Sequence, residues 1–395
     1  MEEFDVVVVG AGPAGLVVAR RLAEEGKRVL CLDKKLEIGA PKRCAEGLGG
    51  AWFERLNIET SPLFCRAPMM GACLYSPSGK KLEIRFPEVG GYIIERKMFE
   101  KELARIASKK GAKILTKHLV TDAVREQGKV KVKVTAFDEE KEFLTKMVVC
   151  AEGMEPVISR KLGLLTTNKL VDVDAGFQYE MSNIEFENPD LINLFFGNDV
   201  APRGYCWIFP KGKDIANVGI GIGGNHSGIA KQYLDKFIEN HPGLRNGSII
   251  EVNAGVIPVG GFLEEMTADN VLAVGDTAHQ VDPLHGGGMG IAMEAAEIAA
   301  KVISQALDKN DVSRQALQQY NKEWYRIRGN KLKNRLKWRY VLEKLNDDNF
   351  EELASAVTGE EILKLIDGDV NIKLFAAKKL VKHPGLVKVL LNSLK

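Results

Sequence analysis

Gly10, Gly12 and Gly15 fall in the run Gly10-Ala11-Gly12-Pro13-Ala14-Gly15, a G-x-G-x-x-G lying between an apolar stretch and a helix-forming one. Glycines at that spacing permit a tight turn and let a pyrophosphate approach the amides of a helix N-terminus. Asp33 follows eighteen residues after Gly15, at the end of the next apolar stretch. A carboxylate there can accept hydrogen bonds from both ribose hydroxyls, so the combination points to a dinucleotide. Far downstream, Val271-Leu272-Ala273-Val274-Gly275-Asp276 is an apolar strand ending in Gly-Asp. That element, and the first motif's place at the extreme N-terminus, favour FAD over NAD. Asp282 to Gly290 then opens a helix whose first amides and dipole can face the electron-rich edge of a reduced flavin. A further G-x-G-x-x-G, at Gly219, Gly221 and Gly224, ends an alternating strand with no acid at the expected offset, and reads as a bend in a sheet.

These residues need elements to position them. Phe4 to Val9 is apolar and β-branched apart from Asp5, the pattern of a parallel strand buried on both faces. Pro13 to Glu25 keeps helical spacing, and Arg28 to Leu32 is a second strand, completing a βαβ unit. Residues 51–91 lose this rhythm; Met98 to Gly111 is helical, Lys113 to Leu115 begins a strand, and Lys129 to Thr135 with Phe143 to Val149 reads as a hairpin. From about 170 to 264 the pattern is mostly strand, at Phe177 to Met181, Asn193 to Phe196, Trp207 to Phe209 and Ile215 to Ile222, with a helix near 229–239. An alanine-rich helix covers about 287–307, and everything from 313 is helical and lysine-rich.

Bulk properties narrow the class. A chain of 395 residues exceeds one ordinary core, so two domains are expected. Lys and Arg number 55 against 53 Asp and Glu, which gives no whole-molecule signature of nucleic-acid binding. The six cysteines (31, 44, 65, 73, 150, 206) show no Cys-x-x-Cys pair and no zinc or cluster spacing, so no metal is expected and a reduced, cytoplasmic setting fits. No apolar stretch approaches bilayer length, and the acidic N-terminus runs straight into a strand, so neither a signal peptide nor a span is expected.

Three segments carry a family resemblance. Pro41-Lys42-Arg43-Cys44-Ala45-Glu46-Gly47 is similar to a P-x-R-C-x-E-G motif, and Tyr205-Cys206-Trp207-Ile208-Phe209-Pro210-Lys211-Gly212 matches Y-x-W-x-F-P-K-G. Gly91-Tyr92-Ile93-Ile94-Glu95-Arg96 is similar to a stretch whose arginine contacts FAD. On these residues the chain resembles the geranylgeranyl reductases, particularly their archaeal members, within the glutathione-reductase-type flavoproteins that also include aromatic hydroxylases. The resemblance covers nearly the whole chain. It implies an α/β fold: a glutathione-reductase-type FAD-binding Rossmann domain (1–50, 92–165 and 265–308), an inserted mixed β-sheet substrate domain (51–91 and 166–264) and a C-terminal helical region (309–395). It places Ala14, Asp33, Cys44, Ala45, Gly47, Arg96, Val120, Asp276, Gly288 and Met289 at flavin-contact positions, beside Gly10, Gly12 and Gly15. It departs from the superfamily at Glu152-Gly153, where Asp-Gly is common.

The implied activity is saturation of geranylgeranyl chains of archaeal ether phospholipids, with free geranylgeranyl diphosphate as another acceptor and NAD(P)H or ferredoxin as electron donor. Reducing an isolated alkene needs a hydride at one carbon, a proton at the other, and exclusion of water. Tyr205, Trp207 and Phe209 alternate on a strand, so one face can line an apolar tunnel. Cys44 is the catalytic candidate, by position near the flavin; Glu46 and His285 are other possible proton sources, while His279 reads as a helix or loop contact. Lys331, Lys333, Arg335, Lys337, Arg339, Lys373, Lys378, Lys379, Lys382 and Lys388, interleaved with apolar residues, form basic amphipathic helices suited to a peripheral position on an anionic membrane or to a solvated face. The alternatives are an aromatic-ring monooxygenase on the same fold and a non-catalytic flavin electron-relay or lipid-binding protein.

Overall fold

The structure, a computed structural model, describes residues 1–366 and Phe375; Lys373, Lys378, Lys379, Lys382 and Lys388 lie outside the described residues. Among these, the strands form three sheets. In the first, Glu2–Val9 is central and runs parallel to Val29–Leu32 on one side and to Glu139–Cys150 on the other. Lys113–Leu115 and Val271–Ala273 extend it at either end, again in parallel. Val6, Val7 and Val8 are fully buried, as an unbroken β-branched run must be when both faces are covered. His118–Glu126, Lys129–Ala136 and Glu139–Cys150 form an antiparallel meander off this sheet. Helix Pro13–Glu24 packs against Arg96–Lys109 and Met289–Asp308.

The second sheet has seven strands in the order Ser248–Pro258, Val173–Ser182, Ile215–Ile222, Tyr205–Pro210, Ile192–Phe195, Gly71–Tyr75, Lys81–Arg85. One face packs on helix Ala230–Glu239 through Tyr179, Met181, Ile208, Val218 and Ile220. The alternate residues face the dinucleotide fold. A third sheet, Gly47–Gly49, Gly91–Ile94 and Cys65–Met69, bridges the two. The 51–91 stretch is therefore shared: Cys65–Met69 belongs to this bridge and Gly71–Tyr75 to the large sheet. Edge strand Ser248–Pro258 has no counterpart in the periodicity reading, because Asn253, Gly255 and Pro258 interrupt its β-propensity. Gly219 and Gly221 do not form a bend. They sit inside the regular strand Ile215–Ile222, where a Cβ on Gly219 would lie 2.4 Å from the Trp207 ring.

The glycine turn is packed tightly against backbone. A Cβ on Gly15 would lie 2.0 Å from the Gly10 carbonyl oxygen, and one on Gly10 would lie 2.2 Å from the Ala151 carbonyl oxygen. Neither neighbour is a flexible side chain. Gly15→Ala is expected to destabilise the fold by about 1–3 kcal/mol and to lower the cofactor content of purified protein, read by calorimetry and absorbance. A variant with wild-type Tm and cofactor content would contradict the packing argument.

Candidate active site

Helix Pro13–Glu24 starts at Gly12 with no side-chain cap and no acid in its first turn, and a Cβ on Gly12 would meet nothing within 4 Å. This leaves an open cradle before free amides, fitted to an anion. Asp33 fixes the turn from behind: the Ala11 N–H donates to its Oδ2 at 2.8 Å, and the Lys35 N–H to its Oδ1 at 2.8 Å. A second uncapped N-terminus, at Gly288 and Met289 of helix Met289–Asp308, opens on the same cavity. Between them stands Asp276, following Gly275 (φ +68), whose N–H donates to Gln280 Oε1 at 2.7 Å. Burial raises the Asp276 carboxyl above its ordinary range, against the pull of Arg96. Arg96 is oriented by Glu100 (2.6 Å) and by the Arg43 carbonyl (3.2 Å). The open cradle, the two helix N-termini and the charges of Asp276 and Arg96 are groups that would suit a dinucleotide-type cofactor.

Facing that wall, the second sheet presents cross-strand rows. Glu180, Asn217 and Phe209 form one; Gln178, Gly219 and Trp207 the next; Gly176, Gly221 and Tyr205 the third. Tyr205, Trp207 and Phe209 make a ladder with ring centroids 5.9 and 6.1 Å apart. The Trp207 indole N–H donates to Gln178 Oε1 at 2.9 Å, and Gln178 Nε2 donates to the Cys44 carbonyl at 3.2 Å. Phe209 lies against Gly47, where a Cβ would come within 3.2 Å of its ring.

Beneath the Cys44 segment lies a buried ion cluster. Glu46 is wholly buried, with φ +74. Its Oε2 receives Lys42 (3.1 Å), Lys211 (3.0 Å) and Asn217 (2.8 Å), and its Oε1 the Arg96 N–H (2.8 Å). Lys42 also binds Glu180 (2.6 Å) and Glu251 (3.1 Å); Lys211 binds Glu180 (2.9 Å) and Glu95 (2.9 Å). Burial works against both ammonium groups, but the surrounding carboxylates hold their pKa values above the ordinary lysine range. Glu46 is thus not a proton source, because its carboxylate is committed as an acceptor to four donors. Sequence reasoning noted Lys42, Glu46 and Lys211 within two motifs without seeing that they meet; the only signal was their place in those motifs.

The loop from Asp282 to Gly288 closes the cavity. Buried Asp282 accepts the Leu284 N–H at 2.9 Å and pairs with Arg335 and with His285 Nε2 at 3.2 Å. His285 Nδ1 accepts the Gly287 N–H at 3.1 Å, so both ring nitrogens serve the loop. The Tyr205 hydroxyl donates to the His285 carbonyl at 2.6 Å. Arg335 and Arg339 point inward, Arg339 to Glu343 (2.6 Å) and the Val259 carbonyl, so they belong to a clamp and not to a solvated basic face. Glu152 caps helix Ile158–Lys161, accepting N–H groups of Val157, Ile158 and Ser159. His279 is buried, contacting the Thr166 carbonyl at 3.3 Å.

All of this surrounds one cavity of about 740 Å³. It is lined by Gly12, Ala14, Gly15, Cys44, Ala45, Gly47, Arg96, Tyr205, Trp207, Phe209, Asp276, Gly288 and Met289. Gly10, Asp33 and Val120 do not line it; Val120 is buried opposite Val134 in the meander. Among the described residues no acidic, His or Cys cluster could hold a metal.

Fold and cavity define a Rossmann-type oxidoreductase whose second sheet turns an aromatic ladder to the cavity. The family model described as geranylgeranyl reductase catalytic domain matches residues 172–257, a lycopene cyclase model matches 228–349, and an NAD(P)-binding Rossmann-like domain model matches 8–46. The chain is 39% identical over 388 residues to digeranylgeranylglycerophospholipid reductase of Methanocaldococcus jannaschii (98% of this chain, 97% of that protein). It is 36% identical over 372 residues to digeranylgeranylglycerophospholipid reductase 1 of Methanosphaera stadtmanae (94% and 92%). A solved geranylgeranyl bacteriochlorophyll reductase-like protein from Thermoplasma acidophilum superposes with TM-score 0.89 at 33% identity, covering all of both chains. The chain belongs to the digeranylgeranylglycerophospholipid reductase family.

Burial opposes ionisation of Asp282, but His285, Arg335 and the Leu284 amide outweigh it and bring the carboxyl down to about 2. A depressed carboxylate contributes stability that is present above its unfolded value, about 3.9, and lost as pH falls through the folded value. Asp282→Asn should lose about 3–5 kcal/mol near neutral pH by leaving Arg335 buried without its partner charge. Urea unfolding at several pH values checks this: the gap to wild type should narrow below about pH 4. A pH-independent gap would contradict the assignment.

Proposed function

We propose that this chain is an FAD-dependent reductase that saturates the geranylgeranyl chains of digeranylgeranylglycerophospholipid. The observation that carries the reading is the single cavity with a dinucleotide-type wall on one side and an apolar aromatic ladder on the other. Its volume lies in the range of small-molecule and cofactor sites. FAD, when bound, supplies the hydride equivalent.

The chain's own residues do the rest. Gly12, Ala14, Gly15, Gly288 and Met289 offer backbone amides at the two helix ends, Arg96 and Asp276 offer polar contacts along the cofactor, and Asp33 holds the turn through the Ala11 and Lys35 amides. Tyr205, Trp207 and Phe209 hold the isoprenoid chain and exclude water, and Gly219 on the neighbouring strand leaves room for the Trp207 ring. Cys44, Ala45 and Gly47 separate the two occupants.

Peripheral membrane association belongs to the same reading. No described helix is long and apolar enough to cross a membrane. Ile249, Ile250, Val252 and Val256 are exposed on edge strand Ser248–Pro258, and Gly255, Val256 and Ile257 of that strand line the cavity. An apolar edge continuous with the cavity wall lets a chain pass from lipid to cavity without crossing water.

Anaerobic incubation of the pre-reduced holoenzyme with the unsaturated ether phospholipid tests the activity. Mass spectrometry should show stepwise gains of about 2 Da, one H2 per double bond. Unchanged lipid mass beside intact, reduced cofactor would overturn the reading.

A further inference from the structure

Every alkene saturation requires a proton as well as a hydride, and the cavity holds few groups able to give one. Glu46 is committed to four donors. His285 spends both ring nitrogens on its own loop. The Tyr205 hydroxyl already donates to the His285 carbonyl, and burial pushes the phenol to a weaker acid still. Asp276 faces Arg96 at the dinucleotide wall. Cys44 Sγ accepts the Glu46 N–H at 3.2 Å and so serves its own turn.

Asp174 is different. It lies on strand Val173–Ser182, on the face shared by Gly176, Gln178 and Glu180, and it lines the cavity. In the adjacent row Gly221 pairs with Tyr205 of the aromatic ladder, and a Cβ on Gly176 or Gly221 would touch Ile257 or the Trp207 ring at 3.6 Å. Its Oδ1 is buried against Gly223 with no hydrogen-bond partner, an unusual condition for an ionised carboxylate. Arg203 forms an ion pair with that oxygen at 3.7 Å, too long for a hydrogen bond; one nitrogen of its guanidinium serves Glu343 (3.0 Å) and the Val171 carbonyl (3.1 Å), while its buried Nε has no partner.

We propose that Asp174 is the proton donor of the reduction. Its O–H bond breaks as a C–H bond forms at one alkene carbon, the other carbon takes the hydride equivalent from the reduced dinucleotide, and water reprotonates the carboxylate between turnovers. Burial raises the carboxyl to about 6; Arg339 and Arg203 lower it, and Glu343 and Asp172 raise it. A lipid chain entering the cavity displaces water and strengthens that first effect, so substrate binding itself favours the protonated acid.

The proposal rests on the lipid-reduction reading, and the experiment separates the two. Pre-reduced wild type, Asp174→Asn and Asp174→Glu are mixed anaerobically with lipid, and loss of double bonds is timed across pH. Wild type should be fastest at low pH and slow as pH rises above the carboxyl's pKa. Asp174→Asn should be slower by at least about 100-fold with a flat profile, and Asp174→Glu should recover part of the rate. Cofactor spectrum, Tm and lipid affinity should stay near wild type. Independently of activity, infrared spectra of the oxidised holoenzyme should contain a protonated-carboxyl band that titrates near pH 6, moves to higher pH with lipid and is missing from Asp174→Asn. Wild-type protein that never reduces the lipid would sink the parent reading. Wild-type protein that does so, beside an Asp174→Asn variant with equal rate, or with only weaker lipid binding and an unaltered pH profile, would overturn the role of Asp174, as would absence of the titrating band.

Discussion

The Glu46 carboxylate is the pin through which the two halves of this molecule meet. Its segment comes from the dinucleotide side, while Lys211, Asn217 and Glu180 come from the seven-stranded sheet or the loop that follows its strands. With Lys42 it brings at least two positive and two negative groups into a place without water. Such an arrangement adds little net stability over an apolar core, but losing one partner is expensive. What it supplies is position. Glu46 adopts a left-handed backbone conformation because its side chain is held on one side while Cys44, Ala45 and Gly47 are turned to the other, toward the cavity. The cost of that conformation is met by four hydrogen bonds to one carboxylate.

From this pin the sheet face passes from charged through polar to bare, and becomes charged again at Asp174 and Arg203. The Glu180 row is ionic, the Gln178 row polar and amphipathic, and the Gly176 row bare. Trp207 spans the gradient: its indole N–H reaches Gln178 and its ring covers Gly219. Gln178 in turn reaches the Cys44 carbonyl, so the aromatic ladder and the Cys44 segment share one register. At the opposite end Asp282 does for the loop before helix Met289–Asp308 what Glu46 does for the Cys44 segment. It is a buried carboxylate that binds backbone amides and an arginine from the C-terminal helices.

Much of this was legible in the chain itself. The βαβ unit at the N-terminus, the Gly-Asp strand end and the alternation of Tyr205, Trp207 and Phe209 each rest on local periodicity, which sequence displays directly. What escaped was non-local. Lys42, Glu46, Glu180 and Lys211 are charged residues of the kind normally solvated, and only the meeting of the two sheets buries them. Arg335 and Arg339 read as part of a basic helix face because Asp282 and Asp172, which they meet, lie far away in sequence. Gly219 looked like part of a turn motif because the reason for its missing side chain, the Trp207 ring, lies on the neighbouring strand. Asp174 drew no notice for the same reason.

The central claim is that this buried cluster sets the geometry between cofactor and lipid. Anaerobic stopped-flow mixing of reduced holoenzyme with lipid, comparing wild type with Glu46→Gln at equal cofactor occupancy, tests it most directly. The account predicts that the variant keeps its cofactor and binds lipid, yet is reoxidised by it at least tenfold more slowly, about 1.4 kcal/mol in the barrier. Reoxidation at the wild-type rate would contradict it.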